Sequence, residues 1–201
     1  MHTIEVIAVC YKRYGELKVF VQSMLNQTCS NWKLHLIHDG EDLEFRNICE
    51  QYSLNDGRIT FSETKIRYND YGHTLRDLGL KNASGNYVIL TNADNYFIPK
   101  AIEYICEAAS IENPDVVMYD MIHSHKTPGG RQQHDYCFFE TNYARGSIDI
   151  TSAAVKLDLA RSAGFRDKTH DGDATYFEDV AKVKGAGLRI NKIRRVLVVH
   201  N

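Results

Sequence analysis

The first half of this sequence alternates apolar segments typical of strands with segments that have helical periodicity. Residues 4–10 are β-branched and apolar, and residues 32–37 form a second such segment that stops at the turn sequence His38-Asp39-Gly40. Between them, apolar residues at i, i+3, i+4, i+7 and i+8 from Leu17 predict an amphipathic helix over residues 14–26. This alternation predicts an α/β fold with a mostly parallel central sheet flanked by helices. The same pattern predicts helices over residues 43–52 and 75–83 and strands over residues 58–62 and 87–91.

The second half of the chain has a less regular pattern. Pro99 is well placed for the first turn of a helix, so residues 91–97 are expected to form a loop before it. The polar residues 123–135, which include Pro128-Gly129-Gly130, predict a mobile loop. Strands are predicted over residues 116–122 and 195–199, and helices over residues 155–163 and 176–184.

The composition fits one globular domain and excludes several classes of protein. With 43% hydrophobic and 25% charged residues over 201 positions, the chain can build one substantial core. A formal net charge of −2 gives no general attraction to nucleic acid or to an anionic membrane. The five cysteines are odd in number and lack Cys-x-x-Cys spacing, which indicates reduced thiols. The sequence shows no leader and no apolar segment near the roughly 18 residues that span a bilayer, so we expect a cytoplasmic protein without a membrane anchor.

Polar side chains follow three strands of the predicted sheet where each strand ends. Tyr11 follows the first strand, Asp39 follows the second, and Asn92 and Asp94 follow the strand over residues 87–91. In open parallel sheets, ligands bind at the carboxyl ends of the strands. A tyrosine ring can stack on a base, one carboxylate can accept from a base N–H, and another can hold a divalent ion that neutralises a pyrophosphate. The pattern therefore predicts a nucleotide-diphosphate site.

Two common nucleotide-binding motifs are absent from the sequence. No Gly-x-Gly-x-x-Gly follows the first strand, and no Gly-x-x-x-x-Gly-Lys-Ser/Thr occurs anywhere. Without a glycine cradle, the phosphate charge requires a metal ion or cationic side chains.

The sequence resembles the inverting family 2 glycosyltransferases of the GT-A fold along nearly its whole length. The family has an Asp-x-Asp or Asp-Asp element where this chain has Asn92-Ala93-Asp94, and a Glu-Asp pair opening a late helix where this chain has Glu178-Asp179. Each matching block is weak alone, but the order and spacing of the blocks are specific. The other blocks are Ile7-Ala8-Val9-Cys10-Tyr11, Ser23-Met24-Leu25-Asn26-Gln27-Thr28, Leu36-Ile37-His38-Asp39-Gly40 and Leu78-Gly79-Leu80-Lys81-Asn82-Ala83-Ser84-Gly85-Asn86-Tyr87-Val88.

This resemblance implies a fold, a reaction and its substrates. It implies one Rossmann-like GT-A domain over residues 1–201, with a nucleotide-sugar-binding half over about residues 1–97 and an irregular acceptor-side half over about residues 98–201. It implies transfer of a sugar from a UDP-sugar to a hydroxyl of a glycan, glycoprotein or polysaccharide, with inversion at the sugar. A chain of this kind is compatible with being one domain of a longer protein.

The resemblance also implies donor-binding residues. Tyr11 would lie on the uracil face, where stacking contributes about 1–3 kcal/mol per base, and Asp39 would accept from the ring N–H. Asn92 or Ala93 would contact the ribose or the phosphates. The other residues predicted at the donor are Ala8, Val9, His73 and Arg76, although an ion pair with a surface acid is an equal alternative for Arg76.

A metal ion and a catalytic base are implied in the same way. Asp94 would hold Mn²⁺ or Mg²⁺, and His200 would add an imidazole ligand, which suits manganese better than magnesium. Because Asn92 replaces the first acid of the commoner motif, we expect weak metal affinity without donor. Asp179, beside Glu178, would deprotonate the acceptor hydroxyl, since an unperturbed aspartate has a pKa near 3.9 and is ionised at pH 7.

The same residues are compatible with purely structural roles. Tyr11 and Asp39 could be a packed aromatic and a turn residue, and Glu178-Asp179 could stabilise a helix dipole from its first turn. A sugar nucleotidyltransferase and a non-catalytic nucleotide-sugar-binding module are alternative functions. Residues 123–135 and 169–173 are candidates to close over the donor. The histidines without metal-ligand spacing, expected to be structural, include His38, His123, His125, His134 and His170.

Overall fold

A computed structural model of the chain describes residues 2–123, 125–127, 130–131 and 136–201. Its elements follow the expected alternation in the first half and become shorter in the second. In chain order they are β1 (Ile4–Cys10), α1 (Tyr14–Leu25), β2 (Trp32–His38), α2 (Leu43–Asn55), β3 (Ile59–Glu63), α3 (His73–Asn82), β4 (Tyr87–Asn92), β5 (Tyr96–Phe97), α4 (Ala101–Ser110), β6 (Val116–His123), β7 (His125–Thr127), β8 (Gly130–Arg131), β9 (Cys137–Phe139), a 3₁₀ turn (Ile150–Ser152), β10 (Ala153–Lys156), α5 (Leu157–Ala163), α6 (Gly172–Lys184), a second 3₁₀ turn (Gly185–Gly187) and β11 (Ile190–Val199).

The central sheet has a parallel half and a mixed half. Its strand order is β3-β2-β1-β4-β10-β6-β11-β5, and β9 pairs with β6 off this path. Strands β3, β2, β1 and β4 are parallel neighbours, so the carboxyl ends of β1, β2 and β4 meet at one edge. Strand β10 runs antiparallel between β4 and β6, and β6 pairs in parallel with β11. The predicted α/β class, with a mostly parallel sheet, flanking helices and an irregular second half, is confirmed.

The side chains of β1 alternate between two hydrophobic cores. Ile4, Val6 and Ala8 pack on the face covered by α1, α2 and α4. Ile7 and Val9 pack on the opposite face, which α3, α5 and α6 cover. Burial on both faces explains why the segment is continuously apolar in sequence. Helix α3 lies close to the sheet at Gly79, where an added Cβ would come within 2.6 Å of Ile7 Cγ2.

The structure corrects the expected elements at four places, one of which is the last strand, where β11 begins at Ile190 and not at residue 195. The helix predicted over residues 155–163 is strand β10 followed by α5, because Val155 pairs with Val88 and Val116, contacts between distant segments that local periodicity does not show. The loop predicted over residues 91–97 contains β5, which pairs with β11. Helix α6 begins at Gly172 rather than at residue 176. Glu178 and Asp179 therefore lie in its second turn and not at its start.

The loop predicted over residues 123–135 falls largely outside the described residues. Residues 124, 128–129 and 132–135, among them His134, lie outside them, and the parts that are described include the short antiparallel pair β7–β8. None of the helices in the described parts of the chain combines the length and the apolar character needed to cross a membrane.

Candidate active site

A cleft opens where the carboxyl ends of β1, β2 and β4 meet, and it encloses about 670 Å³ including its solvent-open mouth. Tyr11, Asp39 and Asp94, which the sequence placed at three separate strand ends, all line it. Ala8 is buried in the core beneath and does not line the cleft. Its other lining residues are Val9, Cys10, Lys12, Arg13, Arg67, Asn69, Tyr71, Gly72, Leu75, Asn92 and Ala93.

The ring of Tyr11 forms one wall of the cleft and is 38% exposed. It stacks on His38, with 5.7 Å between ring centroids and 28° between the ring planes. The guanidinium carbon of Arg67 lies 3.7 Å from the centroid of the Tyr11 ring, a cation–π contact. A face of Tyr11 is therefore covered by an arginine, and a planar base stacked on that face would take its place.

Asp39 is buried at the cleft, and both of its carboxylate oxygens accept backbone hydrogen bonds. Oδ1 accepts from the N–H of Tyr68 at 2.7 Å, and Oδ2 accepts from the N–H of Asn69 at 2.9 Å. A carboxylate oxygen can accept more than one hydrogen bond, so Asp39 keeps capacity for a ligand N–H. The same contacts fix the segment that carries Arg67 against Tyr11.

Asp94 follows β4 and forms an ion pair across the cleft. Its Oδ2 accepts from Nη1 of Arg13 at 2.6 Å. Its Oδ1 is buried and has no hydrogen-bond partner among the described residues. A buried carboxylate oxygen without a partner is costly, and a cation bound at Asp94 would relieve that cost.

The loop after β1 holds Arg13 in this position through its backbone. Lys12 and Arg13 have positive φ angles of 59° and 55°, a conformation that side chains with a Cβ rarely adopt. The N–H of Lys12 donates to Nε2 of His38 at 3.1 Å, and Nδ1 of His38 lies 2.8 Å from the carbonyl oxygen of Gly40. Since Nε2 accepts here, Nδ1 is the ring nitrogen placed to donate to Gly40. His38 therefore has the structural role expected from the sequence.

Arg76 lies fully buried behind the cleft. Its Nη2 donates to Oδ1 of Asn92 at 2.7 Å, and its Nη1 donates to the carbonyl oxygen of Tyr71 at 2.8 Å. Burial lowers the pKa of Arg76, which the carboxylates of Asp173 and Asp149 oppose. The structure therefore pairs Arg76 with a cleft residue instead of a surface acid, and it fixes the amide of Asn92.

His73 lies beside Arg76 and stacks on Phe165, with ring centroids 5.0 Å apart. Its Nε2 lies 3.0 Å from the carbonyl oxygen of Thr169, and its Nδ1 lies 3.3 Å from Nη1 of Arg76. Burial, reinforced by the charge of Arg76, lowers the pKa of His73 to about 4. His73 is therefore neutral at pH 7 and connects α3 to the segment before α6.

Asp173, in the first turn of α6, is the acid that faces this group. Its Oδ1 lies 3.9 Å from Nδ1 of His73 and is buried without a hydrogen-bond partner in the described part of the chain. Burial raises the pKa of Asp173 to about 6, with Asp149 acting in the same direction and Arg76 in the opposite one. An acid with this pKa is mostly ionised at pH 7 and can still accept a proton.

The predicted pair Glu178 and Asp179 lies one to two turns further along α6 and faces other cations. Oδ2 of Asp179 accepts from Arg166 at 2.6 Å, and its Oδ1 accepts from Lys182 at 3.1 Å. Burial alone would raise the pKa of Asp179, but these hydrogen bonds hold it below its usual value. Glu178 pairs with Arg145 at 2.8 Å. Neither acid is among the residues that line the cleft, and neither is Asp173.

His200 lies with His123 and Asp149 at the end of β6 and β11. The ligand atoms of these three side chains all fall within 4.8 Å of one another, and the two imidazole rings stack with centroids 4.1 Å apart. Burial would raise the pKa of Asp149, but His200, the N–H of Thr151 and His123 together hold it below its usual value. Asp94, the other predicted metal ligand, is not a member of this group.

Four residues of the site were not singled out from the sequence. Arg13 and Arg67 had no recognisable signal, because their partners are distant in sequence. Asp149 lies in the irregular second half, and Asp173 was noted only within residues 169–173, a candidate segment to close over the donor. The position of Asp173 just inside a helix start, preceded by Asp171-Gly172, is the signal that could have found it.

Comparisons with known proteins agree with this architecture. A sequence model of glycosyl transferase family 2 matches residues 5–165. Glycosyltransferase GlyA of Streptococcus pneumoniae is 30% identical over 100 residues, which are 50% of this chain and 14% of GlyA. Glycosyltransferase GlyG of the same bacterium is 20% identical over 161 residues, 80% of this chain and 50% of GlyG. The chain thus spans half the length of these curated relatives or less.

Solved structures share the fold over the whole chain. Staphylococcus aureus TarS 1–349 in complex with UDP-GlcNAc has a TM-score of 0.78 at 15% identity, covering 98% of this chain and 58% of that one. The mannosyltransferase PcManGT of Pyrobaculum calidifontis, in complex with GDP-Man and Mn²⁺, has a TM-score of 0.71 at 14% identity, covering 99% and 56%. At these identities the likeness establishes the fold.

Proposed function

The chain belongs to glycosyl transferase family 2, and from that premise we propose that its cleft binds a UDP-sugar whose sugar is transferred to a hydroxyl acceptor. One observation carries the proposal: Tyr11, Asp39 and Asp94 line a single cleft at the carboxyl ends of three strands. Uracil would stack on Tyr11 and donate its ring N–H to Asp39. The complex of TarS with UDP-GlcNAc supports a UDP-sugar as the donor class.

The donor set around Asp94 fits a divalent ion. The buried Oδ1 of Asp94 lacks a partner among the described residues, whereas Oδ1 of Asn92 in the same lining already accepts from Arg76. Hard cations such as Mn²⁺ and Mg²⁺ accept carboxylate and amide oxygens, with phosphates and water completing the shell. We propose that Asp94 is the protein ligand, and the Mn²⁺ complex of PcManGT supports manganese. The ion would supply positive charge that stabilises the leaving diphosphate.

Two arginine side chains occupy the positions proposed for the uracil ring and for the metal ion. Arg67 covers Tyr11, and Arg13 pairs with Asp94. Because both side chains end at the cleft, donor binding would free two cations next to the diphosphate, where they would neutralise its charge. These two arginines would supply the cationic side chains that a diphosphate requires in a protein without a glycine-rich phosphate-binding loop.

The geometry favours Asp173 over Asp179 as the base that deprotonates the acceptor. Asp173 has a raised pKa and an oxygen without a partner in the described part of the chain, and it lies beside His73, which contacts Arg76 behind the cleft. Asp179, the residue predicted from the sequence, is bound by two cations and has a lowered pKa, which makes it a weaker base. A base of this kind would support a single displacement with inversion.

The second half of the chain would supply the acceptor side, with a carbohydrate or glycoprotein as the acceptor. A cytoplasmic location is part of the same proposal.

Release of UDP tests this function. The protein is incubated with UDP-GlcNAc or UDP-glucose and Mn²⁺, and free UDP is measured with and without added sugar acceptors. We expect UDP release from at least one donor, with loss of release after chelation and in Asp94→Ala. Tight UDP binding without release would indicate a binding module, and pyrophosphate formed from UTP and a sugar phosphate would indicate a nucleotidyltransferase.

A further inference from the structure

We propose that Cys29 and Cys106 form a thiol modification site, where a two-electron oxidant such as hydrogen peroxide joins them by a reversible disulfide. Cys29 lies in the segment between α1 and β2, and Cys106 lies in the second turn of α4. Both side chains pack on the core face that α1, α2 and α4 cover. Neither is among the described residues that line the donor cleft, and the inference stands whether or not the chain transfers a sugar.

Hydrogen bonds just before Cys29 hold its segment against α4. The N–H of Thr28 donates to the carbonyl oxygen of Pro99 at 2.8 Å, and Oγ1 of Thr28 donates to Oε2 of Glu103 at 2.6 Å. Residues three apart share one face of a helix, so Cys106 follows Glu103 on the side that faces this segment. The rise from Glu103 to Cys106 is about 4.5 Å, close to the roughly 3.8 Å step from Thr28 to Cys29.

The chain after Cys29 is held beside the same part of the N-terminal segment that Cys106 contacts. Sγ of Cys106 lies 3.5 Å from the carbonyl oxygen of His2. Two residues later, the N–H of Ile4 donates to the carbonyl oxygen of Asn31 at 3.0 Å. Cys29 therefore lies between a residue bonded to α4 and a residue bonded to β1, next to Cys106. Burial, reinforced by the charge of Cys29 and by a hydrogen bond with its thiol, raises the pKa of Cys106 to about 12.

The two thiols differ in exposure, which gives each of them a role in the oxidation. Cys29 is partly exposed and Cys106 is buried, so an oxidant in solution reacts first at Cys29. Sγ of Cys29 attacks one oxygen of hydrogen peroxide and the O–O bond breaks, which leaves a sulfenic acid and releases one water. Sγ of Cys106 then attacks Sγ of Cys29, the S–O bond breaks, and the hydroxyl group leaves as a second water with the thiol proton of Cys106. The two sulfurs together lose two electrons, and the peroxide gains them.

The bond would connect two elements that support the donor cleft. It closes a loop of chain that contains β2, β3 and β4, and both Asp39 and Asp94 lie within that loop. A cross-link of this kind restricts the unfolded chain, so the oxidised protein should melt at least about 4 °C higher than the reduced one. An oxidised chain that melts at the same temperature or lower would contradict a native geometry suited to the bond.

Peptide mapping of the oxidised chain tests the proposal. The reduced protein is treated with hydrogen peroxide, the remaining thiols are blocked with N-ethylmaleimide, and the peptides are identified by mass spectrometry without reduction. We expect a cross-linked pair of peptides that carries Cys29 and Cys106 and that dithiothreitol separates. Cys137→Ser is the matched control, because Cys137 is also partly exposed, and it should form the same pair. Cys106→Ser should leave Cys29 as a sulfenic acid that dimedone traps.

Three results of the mapping would overturn the inference. In the first, the thiols of Cys29 and Cys106 still react with N-ethylmaleimide after excess peroxide. In the second, either cysteine is joined to a different cysteine or to a second chain. In the third, dimedone traps Cys29 equally in the unmodified chain and in Cys106→Ser. If Cys106→Ser fails to fold, the map of the unmodified chain still decides. Failure of the proposed function shows separately, as absence of UDP release from the reduced chain while the disulfide still forms on oxidation.

Discussion

The ion pair between Arg13 and Asp94 predicts that replacing an arginine will strengthen the binding of a cation. Asp94 is the proposed metal ligand, and its Oδ2 lies 2.6 Å from Nη1 of Arg13. A cation bound at Asp94 would compete with this guanidinium for the charge of the carboxylate, so the free energy of the ion pair is subtracted from metal affinity. Arg13→Ala removes that competition and also removes one positive charge near the site.

The expected change in Mn²⁺ affinity follows from the exposure of the two side chains in the ion pair. The side chain of Arg13 is 60% exposed and that of Asp94 is 14% exposed, so only the arginine partner of the pair is largely in contact with solvent. Exposed pairs contribute about 0.2–1 kcal/mol, and the short, half-buried contact places this one at about 1 kcal/mol. Since about 1.4 kcal/mol is a tenfold change, Arg13→Ala should lower the Kd of Mn²⁺ by about fivefold in the absence of nucleotide.

The measurement is a titration with Mn²⁺ followed by the paramagnetic resonance of the free ion. Arg46→Ala is the matched control, because Arg46 forms an ion pair of 2.8 Å with Glu63 outside the cleft. With UDP present the sign should reverse, since the released Arg13 would contact the diphosphate. Unchanged or weaker binding of Mn²⁺ alone in Arg13→Ala would refute the competition.

Three further predictions concern uracil stacking, the catalytic base and the buried histidine. Tyr11→Ala should weaken UDP binding by about 1–3 kcal/mol, measured by calorimetry. The control Tyr68→Ala keeps the backbone hydrogen bond to Asp39 and should leave UDP binding unchanged. Equal losses of affinity in the two variants would contradict the stacking role of Tyr11. Asp173→Asn should stop sugar transfer but keep UDP binding, whereas Asp179→Asn should stay active in UDP-release assays. The opposite pattern would identify Asp179 as the catalytic base. The pKa of His73 is about 4 in the folded chain, and its ordinary value is 6.5, so the unfolded chain binds more protons between these two values. The contribution of neutral His73 to the free energy of unfolding is therefore fully present above about pH 6.5. It falls by about 3 kcal/mol as the pH is lowered toward about 4. Urea unfolding of His73→Gln should show a shallower fall over that window, and a slope equal to that of the unmodified chain would refute the assignment.

Strands that are buried on both faces were predictable because their composition alone reveals them. Residues of β1, β2 and β4 are continuously or nearly continuously apolar and are bounded by polar turns, and their ends were placed within one residue. The last two residues of strand β10, Val155 and Lys156, were assigned to the helix because the strand leads directly into α5 without a turn. Its antiparallel position between β4 and β6 depends on pairings with distant segments, which a local pattern does not contain.

The candidate site divides in the same way. Tyr11, Asp39 and Asp94 could be brought together from the sequence, since parallel strands place their carboxyl ends at one edge. Arg13 and Arg67 could not be placed at the cleft from the sequence. The contact of Arg13 depends on left-handed backbone at Lys12 and Arg13, and that of Arg67 depends on the segment that Asp39 holds. His123 lacks local metal-ligand spacing, yet the pairing of β6 with β11 brings it to His200.

A crystal structure of the chain soaked with UDP and Mn²⁺ tests the central claim most directly. The account predicts uracil stacked on Tyr11 in place of Arg67, its ring N–H within hydrogen-bond distance of Asp39, and the anomalous signal of manganese beside Asp94 with Arg13 displaced. Nucleotide density at any other surface, or a filled cleft with the Arg13–Asp94 pair intact, would contradict it.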